Sequence, residues 1–162
     1  MSGARGIRAL FIFAALVVMH YSIRPLLGWS APIDFLIIAI LLTSVRVRPG
    51  TAAVVGFLVG LAADAQTPAA FGCGAMALTG VAYAASWLKA VFFADNLALN
   101  GIFFFLGKWV FDIVYVLIER RLHGLQVVTQ LLVWSPLSAA VTAIAGLLLL
   151  VLLRPLLDAS ET

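Results

Sequence analysis

The 162-residue chain is 64% hydrophobic and only 10% charged, with a formal net charge of +3. A soluble domain carries roughly 45–50% apolar and about 25% charged residues, and a small one must cover much of its surface with polar groups. The composition therefore excludes an ordinary soluble fold and points to one integral membrane domain. With no Lys/Arg run along a face, it also excludes nucleic-acid binding.

The elements follow from the need for about 20 apolar residues per spanning helix. The first segment covers about 7–27. Arg5 and Arg8 precede it as in a secretory leader, but no small-x-small cleavage site follows, so a retained helix ending near Arg24-Pro25 is expected. The second covers about 31–47, with Pro32 suited to a first helical turn. Next comes VRVRPG, Val45–Gly50, whose arginines and Pro-Gly turn belong at a membrane surface because arginine is costly at the bilayer centre. A third helix is expected at about 50–64. Both flanking segments are short, so a hairpin that dips in without crossing is the alternative. The fourth segment is placed at about 68–93, with Thr67 as N-cap and Pro68 at the first helical position. The fifth covers about 97–118. The sixth covers about 131–155, with Ser135-Pro136 either capping or kinking it.

Six segments make an all-α integral membrane protein, a six-transmembrane-helix bundle with both termini on one side. If that side is cytoplasmic, the inner ends hold Arg5, Arg8, Arg46, Arg48, Lys89 and Arg154, and the outer ends Arg24, Arg120 and Arg121. Six positive charges inside against three outside favours cytoplasmic termini, although the Arg120-Arg121 loop runs against the rule locally.

Ala52, Gly56, Gly60 and Asp64 recur every four residues and share one helix face. Small residues at this spacing let helix backbones approach closely, which is the main packing device where lipid removes the hydrophobic drive. The candidate partners are the small residues Gly72, Gly74, Gly80 and Ala84 of the fourth segment and Ser138, Thr142 and Gly146 of the sixth. Asp64 ends the stripe at a helix C-terminus, where the helix dipole opposes a carboxylate. The first N–H groups of the next helix lie across a short turn and could receive the charge. Asp64 would then staple helix three to helix four; the alternative is that it faces a partner or a water-filled path.

In the fifth segment, Lys108 and Asp112 stand four residues apart and can neutralise each other as an intramembrane charge pair. A self-satisfied pair facing the bundle interior is expected over a proton or ion path, which usually needs more buried acids or histidines. Asp34 reads as interfacial and His20 as a hydrogen-bonded packing residue. Trp29, Trp87 and Trp134 read as interface anchors, with Trp109 deeper. The single cysteine, Cys73, excludes an intrachain disulfide, and His20 and His123 stand too far apart to suggest a metal centre. There is no G-x-S-x-G elbow, HExxH or phosphate loop, and almost no extramembrane mass on which to build a catalytic cluster, so neither an enzyme nor a cofactor is expected.

Read together, Pro32 before IDFLIIAILL, Arg46, GFLVGLAAD (Gly56–Asp64), Phe71-Gly72 and an apolar run to Tyr83 resemble the rod shape-determining protein MreD family. The resemblance covers about Pro32 to Tyr83, roughly a third of the chain. It implies a bacterial inner-membrane scaffold or regulator of cell elongation, with no enzymatic activity. The implied partners are an MreC-like single-span protein and, directly or indirectly, MreB filaments and the RodA–penicillin-binding-protein synthase of lateral peptidoglycan. It also implies a fold similar to the substrate-binding S-components of energy-coupling-factor vitamin transporters. Pro32, Gly56, Gly60, Asp64 and Gly72 match the family's pattern and are the expected helix-packing or partner-interface residues. Two other functions compete: a vitamin-binding transporter subunit on a similar fold, and a proton-coupled carrier using Asp64, Lys108 and Asp112.

Overall fold

The computed structural model describes residues 11–22, 33–92, 96–119 and 124–158, and these are helical with short connections. In chain order the helices are α1 (Phe11–Ser22), α2 (Phe35–Ser44), α3 (Pro49–Asp64), α4 (Cys73–Phe92), α5 (Leu97–Glu119), α6 (Leu125–Thr129) and α7 (Ser135–Asp158). A 3₁₀ turn at Pro68–Ala70 precedes α4, and a π-helical stretch, Gln130–Trp134, joins α6 to α7. Pro32, Arg5, Arg8, Arg24, Trp29, Arg120, Arg121 and His123 lie outside the described residues.

Two helices are long and apolar enough to cross a membrane, Leu97–Glu119 and the continuous run Leu125–Leu152; the other apolar helices are shorter. The second run begins six residues before the expected 131. Pro136 lies inside it instead of capping it. A proline in a helix removes one N–H and crowds the carbonyl four residues earlier, here Leu132. The helix absorbs this by widening into a π turn just ahead of the proline.

The centre of the bundle is α2. Nine of its ten residues are buried, so the helix is apolar all round. Such a helix belongs to the middle of a protein, not its surface. Against it pack α3, α4, α5 and α7. Leu16 of α1 joins the same core, flanked by Ile12, Phe13, Val17 and Met19. Ten residues rise only about 15 Å, half of a hydrocarbon core of about 30 Å.

The polarity of the molecule is inverted. His20, Asp64, Ser86, Lys108, Ser135 and Thr142 are buried, whereas Phe11, Leu58, Met76, Trp87, Leu132, Leu148 and Leu152 are exposed. In water this arrangement would leave large apolar patches uncovered and would bury the groups that most need solvent. Arg46 and Arg48 are exposed in the α2–α3 turn, at one end of the bundle.

Candidate functional site

Two buried polar centres stand out. The first lies where α3 meets α4, the most extensive helix pair in the fold. The buried residues of α3 are Ala52, Gly56, Gly60 and Asp64, the four-residue stripe of the sequence. A Cβ at Gly56 would stand 2.6 Å from the Leu78 carbonyl oxygen, and one at Gly60 would press into the Ala75 backbone. Only glycine permits this approach. The partner face on α4 is Gly74, Ala75, Leu78 and Ala82. Gly80 meets nothing nearby and Ala84 is exposed, so those two expected partners lie on the outer side. The stripe on α7 does not reach α3 either: Gly146 packs on the Phe104 ring of α5, and Thr142 bonds at the start of α2.

Asp64 is 2% exposed, and its charge is received by backbone. Oδ2 accepts from the Gly72 N–H at 2.9 Å and the Ala75 N–H at 3.0 Å; Oδ1 accepts from the Gly74 N–H at 3.1 Å. These include the orphan donors at the N-terminus of α4, where the helix dipole favours an anion. The helix therefore begins at Cys73 and not at Pro68, because its cap comes from Asp64 of the preceding helix. Thr67 makes no side-chain cap bond. Gly72 turns the chain into this geometry with φ +94°, a conformation that a side chain resists. One further tie holds the unit: the Ser86 hydroxyl of α4 donates to the Val47 carbonyl in the α2–α3 turn at 2.7 Å.

The second centre lies among α1, α2, α5 and α7. Lys108 is buried, and its ammonium donates to Asp112 Oδ1 at 2.6 Å and to Asp34 Oδ2 at 3.0 Å. It also sits 5.1 Å from the centroid of the Phe111 ring, within cation–π range. Asp34 is the N-cap of α2 and accepts from the Ile37 N–H at 3.3 Å. Its own N–H donates to the Thr142 hydroxyl of α7 at 3.1 Å, and its Oδ1 lies 3.3 Å from His20 Nδ1 of α1. Ser135, buried at the start of α7, stands within electrostatic reach of Asp112 and makes no close hydrogen bond. Beside this centre, the Trp109 indole N–H donates at 3.2 Å to the Leu131 carbonyl in the π stretch.

Of the residues expected from sequence, the fold brings Gly56, Gly60, Asp64 and Gly72 together at one helix junction and Lys108 with Asp112 at the other centre. Asp34, which the sequence alone reads as interfacial, is ion-paired to Lys108, with its side chain 15% exposed. An Asp just before an apolar run is a legible N-cap signal. Its partners, 14, 74 and 108 residues away, leave no local trace. Among the described residues no group of three or more His, Cys, Asp or Glu side chains could hold a metal ion.

No family model, no curated protein and no solved structure matches the chain.

Proposed function

We propose that this chain is a non-enzymatic scaffold or regulator of the bacterial cell-elongation machinery. In this proposal it is a multi-pass protein of the inner membrane, six helices with cytoplasmic termini, that docks an MreC-like single-span partner and so supports lateral peptidoglycan synthesis. The inverted polarity supports a lipid setting: apolar side chains face outward and charges are neutralised inside. The observation that carries the scaffold reading is the α3–α4 clamp. Four of the residues that carry the family resemblance, Gly56, Gly60, Asp64 and Gly72, lock these two helices together.

The glycine stripe is consumed by packing within the chain. The partner's helix therefore meets an outer apolar face, and the stripe keeps that face in shape. A preformed surface binds more tightly because less ordering is lost on association.

The test is co-purification of the MreC-like protein with the wild-type chain and with Gly60→Leu and Asp64→Leu. Both substitutions should sharply reduce the complex, and depletion of the protein should turn rods round. Undiminished complex formation by normally expressed, folded variants would defeat the proposal.

A further inference from the structure

The second polar centre has an odd charge count. Among the described residues, His20 meets the Tyr21 ring of α1, edge-on at 5.2 Å between centroids, and Asp34 at the N-terminus of α2. Through Asp34 the centre extends to Lys108 and Asp112 of α5 and to Thr142 and Ser135 of α7. Among the described residues, two ionised carboxylates against one ammonium leave one negative charge uncompensated, with the Lys108 side chain 8% exposed and the two Asp side chains 15% and 16%. An unbalanced buried charge is strongly destabilising, whereas a balanced, hydrogen-bonded cluster is tolerated. His20 is the remaining described group at the centre that can supply a positive charge near neutral pH. Its Nδ1 lies 3.3 Å from Asp34 Oδ1, within ion-pair distance.

We propose that this centre binds one proton, shared between His20 and Asp34, and that the bound proton fastens α1 to the rest of the bundle. His20 is the contact through which α1 joins the ionic cluster, one turn beyond Leu16, its anchor in the apolar core. With the proton in place the cluster is neutral and α1 is tied by a charge-assisted bond. Without it, the imidazole meets a cluster of net negative charge and the tie weakens. The proton is held in place and serves as a latch; no path for it to travel is required.

Nitrogen NMR of the full chain in nanodiscs tests this directly. The chain has two histidines, so His123→Gln leaves His20 as the only signal. At pH 7 that signal should be imidazolium. In the same chain carrying Asp112→Asn, where Lys108 and Asp34 already balance, it should be neutral imidazole. A neutral signal with Asp112 intact, or imidazolium in both, overturns the proposal, and the first measurement decides alone if Asp112→Asn does not fold. A thermal cycle gives a second readout. His20→Gln should lower the midpoint by about 4 °C or more with Asp112 present, and by about 1 °C or less in the chain that carries Asp112→Asn. Equal losses in both chains overturn it as well.

Discussion

Asp64, buried, and Asp34, partly buried, are both carboxylates at helix ends, yet the fold neutralises them in different ways. Asp64 is met by backbone N–H groups eight to eleven residues ahead of it. The Asp34 carboxylate is met by side chains from two other helices, Lys108 of α5 and His20 of α1, besides the Ile37 N–H of its own helix, and Lys108 is the cation between it and Asp112. A backbone solution needs only a short turn and a glycine that can follow it. A side-chain solution needs distant helices to arrive together, and it carries a titratable balance that backbone amides lack. The first centre is suited to holding a shape, the second to responding.

This contrast can be broken at four points. The largest effect is expected at Lys108→Met, which leaves Asp34 and Asp112 without their shared cation and should cost about 3–5 kcal/mol. Chemical unfolding in detergent measures it, and Asp112→Asn added to the same chain should recover part of the loss. Next comes Asp64→Leu, at about 3 kcal/mol, because it strands the N–H groups of Gly72, Gly74 and Ala75. Amide hydrogen exchange at those three positions should rise, while Asp64→Asn, which keeps an acceptor, should cost less than Asp64→Leu. If Asp64→Leu leaves exchange there unchanged, the backbone cap is not what holds α4. Gly72→Ala should cost about 1–2 kcal/mol through its positive φ alone, leaving the carboxylate bonds in place. Thermal unfolding of that variant measures the loss. The smallest loss, about 1 kcal/mol, is expected for Ser86→Ala, which removes one hydrogen bond to the α2–α3 turn and is read in the same unfolding assay.

What is legible in the sequence follows the same divide. The α3 stripe can be read because a four-residue period is a property of one helix, and its buried residues are the ones that the period marks. Asp64 reaching the next helix can be read because the turn is short. The start of α4 differs from expectation because Thr67-Pro68 carries a good local signal, while the true cap lies on the preceding helix and Gly72 resets the chain between them. On the partner face of α3, Gly74 takes its expected place and Gly80 does not, since the crossing of the two helices selects among small residues that look alike in sequence.

By itself the sequence determined that the chain is helical, that it is too apolar for water, and which residues lie on one face of α3. These depend on composition and on periods shorter than a helix. Only the tertiary structure decided that α2 is the centre, that Asp34 is ion-paired to Lys108, and that His20, Asp34, Lys108, Asp112 and Thr142 form one cluster. Those outcomes depend on which helices are neighbours, and residues up to 108 positions apart meet there without any local pattern to announce them.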